Sequence, residues 1–190
     1  VVGDRIYTMF AGEKPSEEED AIEYAAAFDT ATGNEIWRTA IGTKYDTEFG
    51  NGPRSTPSVD GDTVYVLGSV GAFAALSIED GSEKWRLDLK ESFSAETPFW
   101  GYSTSPMIEG DLVIVQGGGG EGKGHAALDK KTGEVKWTVG EGNGYNSPVA
   151  ITMNGERRFV YLAGGKLVAV DTAGQEVWSQ EWPRGETHAT

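Results

Sequence analysis

The sequence predicts an all-β chain, a β-propeller whose blades are small four-stranded antiparallel sheets, and three observations predict it. In four places a tight turn ending in glycine is followed, four residues after that glycine, by tryptophan. The copies run from Asp29 to Gly33 and Trp37, Ser77 to Gly81 and Trp85, Asp129 to Gly133 and Trp137, and Asp171 to Gly174 and Trp178. Those tryptophans lie 48, 52 and 41 residues apart, the length of one small sheet per repeat. Between them stand apolar runs rich in Val, Ile, Tyr and Phe, too short for buried helices.

Each repeat reads as the same strands in the same order. The first strand follows a proline, at Ser55-Thr56-Pro57, Thr104-Ser105-Pro106 and Asn146-Ser147-Pro148; proline suits an edge position that needs no amide donor. A hairpin turn comes next, at Val2-Gly3-Asp4, Asp60-Gly61-Asp62, Glu109-Gly110-Asp111 and Asn154-Gly155-Glu156. The second strand holds Ile6-Tyr7, Val64-Tyr65-Val66-Leu67, Leu112-Val113-Ile114-Val115 or Phe159-Val160-Tyr161-Leu162. The third is built of smaller residues, Ala25-Ala26-Ala27-Phe28, Phe73-Ala74-Ala75-Leu76, Ala126-Ala127-Leu128 and Leu167-Val168-Ala169-Val170, which suit close contact between sheets. In the turn that follows, an Asp or Thr side chain bonds the turn amides, and Gly33, Gly81, Gly133 and Gly174 supply positive φ.

The fourth strand starts at the tryptophan and alternates, as Trp85, Leu87 and Leu89, or Trp178 and Trp182, show. One face is therefore apolar and must be covered by the neighbouring sheet. Such a sheet is not stable alone, whereas stacking buries each face against the next. Trp37, Trp85, Trp137 and Trp178 are accordingly read as docking anchors between sheets rather than as ligand platforms. The expected blades are residues 1–52, 53–100, 101–145 and 146–190 of a single propeller region.

Composition narrows the partners. At 190 residues, with 38% hydrophobic and 24% charged side chains, the chain is ordinary folded protein. Its formal charge of −14 repels phosphate backbones and anionic lipid, which excludes nucleic acid and favours basic protein partners. Part of that charge sits between Glu13 and Glu23, a stretch expected to be a solvated loop; a calcium loop is the alternative, although the EF-hand alternation of oxygen ligands is missing. There is no cysteine, hence no disulfide, thiolate zinc site or cysteine nucleophile. No apolar stretch reaches membrane-spanning length, so no membrane insertion is expected. The opening Val1-Val2-Gly3-Asp4-Arg5 has no signal-peptide pattern, from which either a removed targeting segment or an excised piece is expected.

Little catalytic chemistry converges. Gly117 to Gly124 matches parts of both the dinucleotide fingerprint and the P-loop, but both need a helix next, and His125 to Asp129 reads as a strand. The run is read as a flexible loop between the second and third strands. Only two histidines exist, His125 and His188; His125 is expected to be a partly exposed loop residue, and a zinc site of the His-x-x-x-His type is excluded. Ser103 to Ser105 lack the nucleophile-elbow glycines. The thirty acidic residues leave glycoside hydrolysis possible but not indicated. The candidate ligand-binding residues are Trp100 and Tyr102 in Phe99-Trp100-Gly101-Tyr102, with Tyr145 of Gly144-Tyr145-Asn146 at the equivalent place one repeat later. They serve either as a docking surface or as a roof over the blade edges.

The pattern Ala/Leu-x-Asp-x-x-Thr-Gly-x-x-x-Trp resembles the repeats of pyrroloquinoline-quinone-type (PQQ-like) β-propellers across essentially the whole chain. Trp100 to Pro106, Gly110 to Val115 and Ala127 to Gly133 are similar to the soluble propellers related to BamB outer-membrane assembly lipoproteins. Family propellers usually have eight blades, so the resemblance implies half of a larger ring, or a half-ring that self-associates to complete one; closure as a four-bladed monomer is the competing expectation. The terminal His188-Ala189-Thr190 resembles the Ser55-Thr56 lead-in that the first repeat lacks. Enzymatic relatives hold their quinone with a disulfide of adjacent cysteines and a calcium site, so neither a quinone, nor any other cofactor, nor a catalytic residue is expected here. The implied function is a non-catalytic scaffold or protein-binding module, extracytoplasmic as the similar bacterial proteins are. A divergent quinoprotein oxidoreductase or carbohydrate-active propeller domain is the alternative, and a structural piece that only completes a larger ring is a third reading.

Overall fold

The computed structural model describes residues 1–14, 16–17, 20–142, 145–163 and 165–182. His188, Gly144, Glu18 and Glu19 lie outside the described residues. Almost every element is a strand. The first sheet is three-stranded and antiparallel, from β1 (Arg5–Ala11), β2 (Ile22–Asp29) and β3 (Glu35–Thr43). A small hairpin of β4 (Asp46–Thr47) and β5 (Gly50–Asn51) follows. The second sheet orders β6 (Ser58–Asp60), β7 (Thr63–Leu67), β8 (Ala72–Ser77) and β9 (Glu83–Asp88). After the short helix α1 (Leu89–Phe93), the third sheet orders β10 (Met107–Glu109), β11 (Leu112–Gln116), β12 (His125–Asp129) and β13 (Val135–Val139). The fourth orders β14 (Val149–Met153), β15 (Glu156–Ala163), β16 (Lys166–Val170) and β17 (Glu176–Glu181).

Three sheets have four strands, in chain order, and each of their first strands begins directly after its proline. The first sheet has three, because the residues ahead of Gly3 form only an isolated bridge, Val2 to Arg5. Leu89, expected to continue a strand, instead opens α1, where Leu89 and Phe93 share a helical face and are both buried. The Asn154-Gly155 turn has φ of 52° and 81°, the double positive pair of a type I′ hairpin.

One irregularity recurs in all four sheets. The register between third and fourth strands slips at Ala27/Phe28, Ala75/Leu76, Ala127/Leu128 and Ala169/Val170. Beside each slip the tryptophan pairs with an alanine: Trp37 with Ala27, Trp85 with Ala75, Trp137 with Ala127 and Trp178 with Ala169. All four alanines are fully buried. A bulge re-aims the side chain next to it, and a methyl group opposite leaves space for an indole.

The chain divides into two compact units. One comprises Val1–Asp88 with Phe99–Pro106; the other comprises Leu89–Pro98 with the residues from Met107 onward. In the first unit, Tyr7, Ala25, Ala27, Trp37 and Ile41 pack with Val64, Val66, Ala74 and Leu76, so the core lies between the first and second sheets. In the second unit, Ile114 and Ala127 pack with Phe159, Tyr161, Val168 and Val170, with Trp137 against them, so the core lies between the third and fourth sheets. The Arg157 guanidinium also spans these two sheets to the Glu109 carboxylate at 2.7 Å.

The tryptophan contacts are the same in both units. Trp37 donates its indole N–H to the Ile78 carbonyl at 3.2 Å, and Trp137 donates to the Thr172 carbonyl at 3.1 Å. Ile78 and Thr172 each stand second in the glycine turn of the following sheet. A Cβ added at Gly81 would sit 2.6 Å from the Trp37 ring, and one at Gly174 would sit 2.7 Å from Trp137. Glycine is thus needed there both for its φ and for the space the indole takes.

Candidate functional site

The loop 99–102 and the β4–β5 hairpin meet in the first unit. Phe49, at the hairpin tip, and Phe99 are each 66% exposed, and Trp100 is half-buried. The ring centroids are 6.3 Å apart for Phe49 and Phe99, 6.3 Å for Phe49 and Trp100, and 5.5 Å for Phe99 and Trp100. The last two pairs are edge-to-face, a favourable aromatic geometry. Three mutually touching rings therefore form an exposed apolar patch.

Below them lies a polar base. Arg54 donates to the Gly50 carbonyl at 2.7 Å, the Thr47 hydroxyl at 3.2 Å and the Gly52 carbonyl at 3.1 Å, which fixes the hairpin. Its guanidinium also lies 6.0 Å from the Tyr45 ring centre, and Tyr45 in turn donates its hydroxyl to the Phe99 carbonyl at 3.1 Å. The fully buried Ser69 connects the remaining parts. Its N–H donates to Glu23 Oε2 at 2.8 Å, its hydroxyl to the Gly52 carbonyl at 3.0 Å, and its carbonyl accepts from the Tyr102 N–H at 2.8 Å. Glu23 is itself fully buried on β2. At Gly101, φ is 72° and a Cβ would come within 3.0 Å of Tyr45 and 3.1 Å of the Ser69 carbonyl, so the loop turns there only with glycine.

Tyr102 does not belong to the exposed patch. It is 0% exposed, and burial, helped by the Asp88 charge, pushes its hydroxyl up to about 12. Tyr102 is thus an anchor under the loop. Tyr145, in the second unit, is half-buried, and the adjacent Asn146 side chain accepts from the Leu162 N–H at 3.2 Å. The rings gathered around Trp100 are Phe49 and Phe99. Phe49 has no repeat signature; a lone phenylalanine beside glycine in a polar stretch, Glu48-Phe49-Gly50, is the only sequence signal for it.

In the second unit His125 is a correction to the sequence expectation. It is 1% exposed on β12, not a partly exposed loop residue, because its repeat counterparts Ala25, Phe73 and Leu167 are strand positions, the first two buried and the third half-buried. It pairs in register with the equally buried Gln116, and its ring lies 4.3 Å from the Tyr161 ring centre. Neither nitrogen of His125 nor either polar side-chain atom of Gln116 has a partner among the described residues. Burial lowers the imidazole to about 4, so it is neutral at physiological pH. In the second sheet the same register position holds Leu67 and Phe73.

The glycine run is a packing feature. A Cβ at Gly119 would stand 2.7 Å from the Phe93 carbonyl, one at Gly117 2.5 Å from the Lys123 carbonyl, and one at Gly124 2.8 Å from the Glu141 amide. The strand β12, not a helix, follows it. Close by is a cavity of about 270 Å³ whose charged lining is Glu121, Glu141, Glu176 and Lys166. No group of three His, Asp or Glu side chains is placed to hold a metal ion among the described residues.

The family model described as outer membrane protein assembly factor BamB matches residues 22–190. The chain belongs to this family. No curated protein matches the sequence significantly. Among solved structures, BamB from Moraxella catarrhalis aligns with a TM-score of 0.59 at 16% identity, covering 93% of this chain and 51% of that one. Quinohemoprotein alcohol dehydrogenase from Comamonas testosteroni aligns with 0.58 at 19% identity, covering 94% and 37%. The related enzyme ADHIIG from Pseudomonas putida HK5 gives 0.61 at 14%, covering 95% and 36%. The BamB-family chain therefore has the PQQ-type propeller fold and spans about half of the Moraxella protein and about a third of each enzyme. Identities this low carry the fold and no chemistry. No helix among the described residues is long and apolar enough to cross a membrane.

Proposed function

We propose that this BamB-family chain is a non-catalytic scaffold that binds a protein partner through the Phe49, Phe99 and Trp100 patch, outside the cytoplasm, in an assembly role. The four sheets act as one propeller region, and a second copy of the chain is among its partners. The observation that carries the reading is the cluster of exposed rings on a base fixed by Arg54, Ser69 and buried Glu23. Rigid aromatic anchors ringed by polar groups are where interface energy concentrates. The charge of −14 favours a partner with basic residues beside its apolar contact. The family description supports an assembly role, and outer membrane protein assembly is the process it names.

The test places a photo-cross-linking amino acid at Phe99 in cells, with the exposed turn residue Glu79 as control. One defined protein adduct is expected at Phe99 and none at Glu79. The purified pair should then bind about tenfold or more weakly when Phe49→Ser and Phe99→Ser are combined, with the thermal midpoint unchanged. An absent adduct, or a loss of affinity that only tracks a loss of stability, overturns the proposal. Binding of the unmodified patch to a glycan instead would favour the carbohydrate-active alternative.

A further inference from the structure

The second unit breaks its own repeat at three neighbouring positions. Gln116 and His125 stand where the second sheet has Leu67 and Phe73. The third is Tyr161. Ala27, Ala75, Ala127 and Ala169, the alanines opposite the tryptophans, pair on their other side with Tyr7, Tyr65, Ile114 and Val160, and the residues that follow are Thr8, Val66, Val115 and Tyr161. The Tyr161 ring lies against His125, 4.3 Å between centres. Departures from an otherwise consistent pattern concentrate at functional sites, and here the shorter residues of the other sheets satisfy packing without a hydroxyl.

Tyr161 is 4% exposed, yet it lines the cavity of about 270 Å³ beside the glycine run. Its hydroxyl end stands at that wall: a Cβ on Gly140, another lining residue, would lie 3.2 Å from the oxygen. The hydroxyl has no hydrogen-bond partner among the described residues. Burial, helped by the Glu176 charge, pushes it up to about 12, so it stays protonated and keeps its lone pairs for a donor. Carboxylates of Glu121, Glu141 and Glu176 share the lining. Glu121 and Glu141 form no ion pair among the described residues, and Glu176 accepts from the Ser179 hydroxyl at 2.7 Å. The lining cation, Lys166, turns to Glu181, whose Oε1 is 3.5 Å from its Nζ. The Gly142 N–H bonds the Gly119 carbonyl at 3.1 Å and the Gly124 N–H bonds the Gly140 carbonyl at 3.1 Å, so the loops that carry Glu121 and Glu141 are tied together.

We propose that this cavity is a receptor for a single guanidinium group, carried on an arginine side chain. Three carboxylates against one ammonium select a cation. A bare metal ion does not fit, because no three acidic groups are placed to share one among the described residues. Pockets for drug-sized ligands run about 300–1,000 Å³, so about 270 Å³ suits one side chain. Carboxylates set apart from one another, with a hydroxyl acceptor beside them, match a planar fork of N–H donors better than the compact head of lysine. Val168 offers the aliphatic stem an apolar wall. The site is built from the second unit alone, so it holds or fails independently of the aromatic patch in the first.

The experiment is an NMR titration of the 190-residue chain with Nα-acetyl-arginine amide, its lysine counterpart and methylguanidine. The arginine form should shift the amides of Gly122, Gly140 and Tyr161 saturably, and the lysine form should bind at least about tenfold more weakly. Glu141→Gln and Tyr161→Phe should each weaken the arginine form about tenfold, the loss of one charge-assisted hydrogen bond, while Glu79→Gln in the first unit leaves it unchanged. Glu141 is exposed, so that variant keeps the fold whatever Tyr161→Phe does. Weaker binding of methylguanidine than of the arginine form supports the side chain as the source; equal binding would strike the side chain and leave a free guanidinium compound as the ligand. No saturable shift, equal affinity for the lysine form, or an affinity untouched by Glu141→Gln would each overturn the proposal.

Discussion

His125 and Gln116 show how much one pair of side chains can depart from its repeat. Where the second sheet has Leu67 and Phe73, the third holds two amphipathic groups in the same buried position, with four polar atoms unpartnered among the described residues. An unsatisfied buried polar group costs about 1–3 kcal/mol. Restoring the apolar pair with Gln116→Leu and His125→Phe should therefore raise stability by about that much, measured by urea unfolding at pH 7. The same pair predicts a pH dependence. The folded imidazole sits at about 4 against an ordinary 6.5, so below 6.5 the unfolded chain takes up a proton that the folded chain refuses. The imidazole's contribution should fall between about 6.5 and 4 and level off below, and the double variant should lose this slope while keeping the further acid-side loss from its turn aspartates. Asp29 is held below the ordinary carboxyl range by its bond from Thr32, and Asp129 by the amides of Lys131 and Thr132. Their contribution is present above the unfolded value and is lost as pH falls through the lower, folded one. His125 is read wrongly in the sequence because it follows a glycine run, which suggests a loop. Aligning the repeats strand by strand puts it at a core position.

At the level of the sheet, turn and tryptophan act as one part. Trp137→Ala should cost roughly 3–5 kcal/mol in chemical unfolding, as large aromatic truncations do when the hole cannot collapse. Gly81→Ala and Gly33→Ala separate the two duties of the turn glycine. Both accept the strain of positive φ, but within one chain only at position 81 does the new methyl meet an indole, 2.6 Å away. The expected outcome is a larger loss at Gly81, by about 1–3 kcal/mol in the same unfolding assay. Strand order, the proline lead-ins and the hairpin turns are legible in the sequence because each depends on a few neighbouring residues. Three features are not. The β4–β5 hairpin has too few residues to show alternation, α1 rests on one buried pair, and the bulges appear only once two strands are paired.

For the molecule as a whole, the formal charge of −14 suits the basic partner proposed above. The acidic stretch from Glu13 to Glu23 is the place where calcium would act if it acted at all. Adding calcium in excess is expected to leave the thermal midpoint unchanged, and a stabilisation that Asp20→Asn and Glu17→Gln abolish would reverse that view. The fold was within reach of sequence reasoning because one unit is written four times. The candidate site was only half visible: Trp100 belongs to a repeat junction, but Phe49 reaches Phe99 across fifty positions of chain through a hairpin that no local pattern announces. Finally, the fourth turn is a residue shorter than the others. Gly174 bonds back three residues to Asp171, whereas Gly33 and Gly133 bond back four, to Asp29 and Asp129. Even so, the step from glycine to tryptophan is constant and the bulge stays beside the same alanine. Length variation is thus absorbed upstream of the glycine, which makes that short stretch the natural place to graft foreign loops, while the segment after it works as a fixed ruler.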